Sequence, residues 1–135
     1  MINFPEKKYN IIYADPPNLP VETIAEKDCV LFLWVTYPLL IQGLETINKW
    51  GFTYKTCGFS WIKKNKKADS LFWGLGHWTR ANNEICLLAT RGKPKRVSKS
   101  VHQVVYEPLR EHSRKPDCVR ERIVELCGDL PRIEL

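Results

Sequence analysis

The sequence has no Cys-x-x-Cys pair, no histidines at metal-ligand spacing, no internal repeat, no low-complexity linker and no long apolar run. Each absence removes a class of protein. No stretch approaches the ~18 apolar residues that a membrane span needs, and nothing before Tyr9 resembles a signal peptide. A membrane partner is therefore not expected. Cys29, Cys57, Cys86, Cys118 and Cys127 are odd in number and widely spaced, which argues against a disulfide framework or a zinc site. Cysteines within apolar runs such as Asp28–Phe32 and Ile85–Leu88 read as buried, reduced thiols of a cytoplasmic protein. His77, His102 and His112 give no metal pattern, so no metal is expected. An apolar share of 44% with 27% charged residues excludes disorder, and 135 residues make one domain.

What is present is positive charge. Lysine and arginine number 21 against 15 acidic residues, a net charge of +6 that favours an anionic partner. Two clusters carry much of it: Lys63-Lys64-Asn65-Lys66-Lys67 and Arg91-Gly92-Lys93-Pro94-Lys95-Arg96, both in predicted loops. Such runs equally mark a solvated surface. Trp73 and Trp78 tilt the reading towards nucleic acid, since aromatic faces stack on bases while cations hold phosphates.

Apolar patterning predicts strands at Tyr9–Ala14, Cys29–Val35, Phe52–Ile62 (one or two), Glu84–Thr90, Gln103–Tyr106 and Arg132–Leu135. Helices are expected at Val21–Lys27, from near Pro38 to Gly51, and at Pro116–Cys127, where Val119, Ile123, Leu126 and Cys127 share a face. This alternation predicts an α/β fold around a mostly parallel central sheet with helices on both faces. Ligands of such sheets bind beyond the carboxyl ends of the strands.

Asp15-Pro16-Pro17 stands at such an end. Alone, it is an ordinary turn. After an apolar strand, two prolines fix the backbone, and an aspartate carboxylate beside a proline carbonyl makes a pair of acceptors. That pair suits an exocyclic amine with two hydrogens to donate. Holding both draws the nitrogen lone pair out of conjugation and aims it at an electrophile, by orientation and electrostatics.

Tyr13–Pro17, Val30–Thr36, Trp50-Gly51-Phe52, Trp61-Ile62-Lys63, Gly76–Arg80, Glu84–Leu88, His112–Asp117 and Arg132–Leu135 together resemble the MT-A70 family of S-adenosylmethionine-dependent adenine methyltransferases. Leu71–Gly74 and the basic run at Arg91–Arg96 look most like bacterial and phage members. The resemblance implies a Rossmann-like methyltransferase fold and S-adenosylmethionine as cofactor. It implies that Asp15, Pro16 and Pro17 form the catalytic element. Ser113 and Lys115 would hold the cofactor carboxylate, a task for which a lysine next to a helix start is physically apt, although both fit simple capping. Glu134 and Leu135 match the strand end over which the cofactor lies. Trp61, Lys63, His77, Trp78, Arg80 and Glu84 match positions lining the nucleotide side; Trp61 and Trp78 equally fit core aromatics. Trp34, Trp50 and Phe32 read as packing.

The sequence departs from the family at Asn18, where members carry an aromatic that stacks on the base. A longer family loop before Leu19-Pro20-Val21 has no counterpart, and the chain stops at Leu135, before a further ribose-holding segment. Two readings follow. One is a naturally reduced, inactive, nucleic-acid-binding relative. The other, which we favour, is a scaffold missing a substrate loop between Pro17 and Asn18 and a tail after Leu135. The expected activity is methyl transfer to the exocyclic N6 amine of adenine, in DNA before RNA, in the cytoplasm of a bacterium or phage-infected host. Monomer and dimer are both open.

Overall fold

A computed structural model describes residues 7–15, 19–111 and 114–135. Pro16, Pro17, Asn18 and Ser113 lie outside the described residues, and with them the expected junction at Pro17-Asn18. Among the described residues the chain forms β1 (Tyr9–Ala14), β2 (Ala25–Val35), α1 (Leu40–Lys49), β3 (Thr53–Lys64), β4 (Glu84–Arg91), β5 (Val104–Pro108), α2 (Cys118–Cys127) and β6 (Arg132–Glu134). No helix among them is long and apolar enough to cross a membrane.

The six strands form one α/β sheet in the order β5-β3-β4-β2-β1-β6. β1 runs parallel to β2 and β6, and β3 parallel to β5. β4 is antiparallel to both of its neighbours, so the sheet is mixed. Five of the six strands run in one direction, as expected of a mostly parallel sheet, and β4 is the exception. The cause of its reversal is the connection between β3 and β4. Residues 65–83 hold no helix, and without a crossover helix the chain returns antiparallel.

Two corrections concern local structure. Val21–Lys27 is not a helix: Val21–Ile24 form a single 3-10 turn, and β2 already begins at Ala25. One turn rich in β-branched residues cannot offset helix nucleation, while Ala25 finds a partner in Tyr9 across the parallel ladder. Phe52–Ile62 resolves into the one long strand β3, its register shifted between Tyr54 and Thr56 and again between Cys57 and Phe59.

Alternate strand residues feed two buried clusters, as a period of two requires. Ile12, Leu31, Leu33 and Leu87 pack with Ile47 of α1 and with Trp50. Ile11, Phe32, Trp34, Phe59 and Trp61 pack with Val119, Ile123 and Cys127 of α2. Trp34, Trp50 and Phe32 are thus core residues, as expected. Gly43 lets α1 approach β2 closely, since a Cβ there would fall 2.5 Å from Val35 Cγ1. All five thiols are free. Burial pushes Cys29 up to about 12 and Cys127 up to about 11.

Candidate active site

Because β4 is reversed, its first residue reaches the same edge as the carboxyl ends of β1, β2 and β3. That edge gathers charged side chains from four distant segments. Asp15 follows β1, Lys63 lies near the end of β3, Glu84 opens β4, and Lys115 precedes α2. Lys115 Nζ donates to Glu84 Oε2 at 2.6 Å and lies 3.8 Å from Asp15 Oδ1. Glu84 Oε1 lies 3.2 Å from Lys63 Nζ. The charges therefore alternate along the row Asp15, Lys115, Glu84, Lys63. The side chains of Glu84 and Lys115 are only 11% and 15% exposed, whereas that of Asp15 is 64% exposed. The outermost carboxylate meets solvent, and the inner groups hold it there.

Aromatic rings floor this row. Lys115 Nζ lies 5.3 Å from the Trp34 ring centroid and Lys63 Nζ 5.1 Å from that of Trp61, both within cation–π range. The two indoles meet edge to face at 6.3 Å. The Trp34 indole N–H donates to the Tyr13 hydroxyl at 2.8 Å, and that of Trp61 to the Glu107 carbonyl at 2.9 Å. Burial holds the Tyr13 phenol above its ordinary range. Burial also raises the Asp15 carboxyl, opposed by Lys115 and reinforced by Glu84 and Glu134. Asp15 is thus a carboxylate whose charge is tuned by the row behind it.

Two cavities adjoin at Glu84 and Thr36. One, of about 310 Å³, is lined by Asp15, Trp34, Gly43 and Thr46. The other, of about 590 Å³, is lined by Lys63, His77, Phe72 and Asn83. Its outer wall is the loop between β3 and β4, which is well tied. Phe72 N–H donates to the Lys63 carbonyl at 2.9 Å and Gly74 N–H to Ala81 at 2.7 Å. The Arg80 guanidinium folds back onto the carbonyls of Gly74 and Trp73 at 3.0 and 3.1 Å. Trp78 is fully exposed at the tip, with φ of 77°.

Of the residues expected at the site, Asp15, Lys63, Glu84 and Lys115 converge, and His77 lines the same cavity. Trp61 is buried behind Lys63, a wall of the site that shows it no free face. Arg80 braces the loop. Glu134 and Leu135 lie on the neighbouring strand: Leu135 N–H donates to the Tyr13 carbonyl at 2.9 Å, and its carbonyl accepts from Asp15 N–H at 3.4 Å. Both Glu134 oxygens are taken by Arg120, at 2.6 and 2.7 Å. Among the described residues no three His, Cys, Asp or Glu side chains gather as a metal site.

A profile of the MT-A70 family matches residues 7–135. The chain belongs to the MT-A70 family. This MT-A70 chain is 27% identical over 176 positions to the type II methyltransferase M.MunI of a Mycoplasma species, covering 97% of the chain and 72% of that protein. It is 29% identical over 147 positions to the human N(6)-adenosine-methyltransferase catalytic subunit METTL3, covering 95% of the chain and 25% of METTL3. A rice protein described as a probable N(6)-adenosine-methyltransferase MT-A70-like is 31% identical, covering 95% of the chain and 20% of its own length. The chain thus spans only a fifth to a quarter of these last two relatives. The alignment with M.MunI exceeds the 135 residues of this chain, so that relative carries segments with no counterpart here.

Asn82 escaped the sequence reading. Its amide accepts from the Lys63 backbone N–H and donates to the Lys63 carbonyl, both at 2.9 Å, and also donates to Phe72. It fixes Lys63 and the loop together. Lying two residues before Glu84 in the chain is its only signal.

Proposed function

We propose that this chain transfers a methyl group from S-adenosylmethionine to the exocyclic N6 amine of adenine in nucleic acid, with DNA as the favoured polymer. The observation that carries this reading is the row of alternating charge ending in the exposed carboxylate of Asp15. Its donor set suits a zwitterionic sulfonium cofactor. Asp15 offers a negative group for the sulfonium. Lys115 has three N–H donors, of which one serves Glu84 and another faces Asp15, leaving one for a cofactor carboxylate. Ser113 and the strand end at Glu134 and Leu135 complete that side in our reading. S-adenosylmethionine, when bound, supplies a methyl group activated by the positive charge on sulfur.

The chain's own residues then do three things. Asp15 accepts one hydrogen of the adenine amine while the Pro16 carbonyl accepts the other, and Pro17, whose ring fixes its own φ, completes the element that the family resemblance implies. The nitrogen lone pair is thereby turned out of the ring system. Lys63, His77 and Trp78 line the nucleotide side, with Arg80 bracing the loop and Trp61 backing Lys63. Asp15 also stands where the proton shed by the product amine can be received, and its raised carboxyl suits that role. A base in a duplex must leave its stack to reach this edge, at a cost of a few kcal/mol.

DNA is favoured because Leu71–Gly74 and Arg91–Arg96 look like the bacterial and phage members. Five free thiols fit a bacterial or phage-infected cytoplasm. The second reading, a silent nucleic-acid-binding subunit, rests on Asn18 standing in place of the stacking aromatic. The deciding experiment incubates the protein with S-adenosylmethionine and either DNA or RNA, then digests the polymer and assays for N6-methyladenine. Methylated DNA that disappears with Asp15→Ala, while DNA binding persists, supports the enzyme. Binding without transfer to either polymer supports the silent subunit.

A further inference from the structure

The basic run Arg91–Arg96 takes no part in the site just described. Lys93, Lys95 and Arg96 instead join Lys55 around a groove of about 590 Å³, at the end of β3 remote from Lys63. Thr56 and Leu88 line its floor, and no carboxylate does. The groove shares Val30, Leu88 and Cys127 with the cluster beneath α2, so it opens on the same side of the sheet as Trp61.

Two features mark this groove. It gathers four cations with no carboxylate in its lining, whereas Lys63, Lys64, Lys115, Arg110, Arg114, Arg120 and Arg132 each have a carboxylate partner. Among the described residues no carboxylate pairs with the side chains of Lys55, Lys93, Lys95 or Arg96. The basic loop is also built in place. Gly92, with φ of 70°, turns so tightly that a Cβ would fall 2.3 Å from Asp28 Oδ1. Asp28 spends that oxygen on the Lys93 backbone N–H at 2.8 Å, and Val97 N–H ties the loop to the Leu126 carbonyl at 2.7 Å. Four unmatched cations around a neutral floor fit a polyanion.

We propose that this groove is a second contact for the phosphodiester backbone of the nucleic acid whose adenine is held at Asp15, an inference that rests on the function proposed above. Eight residues of β3 separate Lys55 from Lys63, about 26 Å at ~3.3 Å per residue. At about 3.4 Å per base pair, the groove meets phosphates roughly seven or eight pairs from the target base.

The test uses the triple substitution Lys93→Gln/Lys95→Gln/Arg96→Gln. Binding of a fluorescent 40-base-pair duplex is followed by anisotropy from 50 to 200 mM salt. The slope of log affinity against log salt should flatten by about 2 to 3, at ~0.9 per lost phosphate contact. In methyl transfer, KM for long DNA should rise about tenfold while kcat, and KM for an oligonucleotide reaching fewer than five pairs either side of the target, stay put. An unchanged salt slope overturns the proposal, as does an equal loss on long and short DNA. If the wild type methylates no nucleic acid, the function proposed above fails, and the slope measurement still judges the groove alone. Binding to phosphatidylserine vesicles lost in the triple variant, with the DNA slope unmoved, would make it a membrane contact and overturn the proposal.

Discussion

Lys115 and Glu84, 31 residues apart, meet at 2.6 Å with little of either side chain exposed, and each has a second partner of opposite charge. The pair works as the centre of a four-charge row, so neutralising one member unbalances the rest. Glu84→Gln keeps the shape but leaves the ammoniums of Lys63 and Lys115 facing an uncharged amide. We expect a loss of about 2 kcal/mol in stability and a melting temperature lower by several degrees. Pairing it with Lys63→Met should restore part of the loss. The acid limb of the methyl-transfer profile should also move to lower pH, because Glu84 is one of the groups that raise the Asp15 carboxyl. Equal melting of the single variant and the wild type would contradict the row as an energetic unit.

Asp15 itself should trade stability for function. Its carboxyl is raised in the fold by partial desolvation first, then by Glu84 and Glu134 against the pull of Lys115, although 64% of the side chain meets solvent. An acid so raised contributes stability that is fully present below its ordinary 3.8 and is lost as pH rises through the folded value. At pH 7 the ionised group is therefore a small cost, since solvent screens an exposed carboxylate. Asp15→Asn should be as stable as the wild type, or slightly more so, at pH 7, with the gap closing as pH falls towards 3.8 in denaturant titrations. Methyl transfer by the same variant should fall by about two or more orders of magnitude. A variant clearly less stable than wild type at pH 7 would show that Asp15 is structural.

The parts of the site that sequence reveals are those whose position and chemistry coincide. Asp15 stands beyond an apolar strand, and Lys115 precedes a helix whose apolar face is plain in Val119, Ile123 and Cys127. The reversal of β4 was not legible, because Ile85–Ala89 is an apolar run that reads the same in either direction. Yet that reversal brings Glu84 to the carboxyl edge. Trp34 was correctly read as core, but its ring under Lys115 and its bond to Tyr13 depend on a pairing 21 residues away. Asn82 acts wholly through backbone groups of Lys63 and Phe72, which no residue pattern discloses.

Tyr13 and Trp34 give a direct test of that buried bond. Tyr13→Phe leaves the indole N–H without an acceptor, and Trp34→Phe leaves the phenol without its donor. Each should cost about 1–3 kcal/mol, because a buried polar group is stranded. The double substitution should cost less than the sum by about 1 kcal/mol, since nothing polar is then stranded. Additive losses in a double-mutant cycle of urea melts would deny the coupling. Trp34→Phe should in addition weaken cofactor binding, because a smaller ring supports Lys115.

Gly43→Ala should be destabilising although alanine is the better helix former. The helical gain is about 1 kcal/mol. Against it stands a Cβ placed 2.5 Å from Val35 Cγ1, an overpacking that costs roughly 1–3 kcal/mol. Gly43 also lines the cavity beside Asp15, so KM for S-adenosylmethionine should rise. Adding Val35→Ala should recover much of the stability. Gly43→Ala melting above the wild type would mean that α1 can shift at no cost.

Trp78 is the reverse case, a residue whose backbone is strained and whose side chain packs against nothing. It is fully exposed with φ of 77°, a left-handed conformation that costs a non-glycine residue about 1–2 kcal/mol. Asparagine tolerates that conformation better, so Trp78→Asn should leave stability unchanged or raise it by up to ~1 kcal/mol. If the ring stacks on a base at the mouth of the site, removing it should weaken nucleic-acid binding by about 1–3 kcal/mol, the worth of one base–aromatic contact. The two effects point in opposite directions, and a thermal melt and an anisotropy titration of one variant read both. A variant that melts higher and binds DNA as tightly as the wild type would remove Trp78 from the nucleotide side.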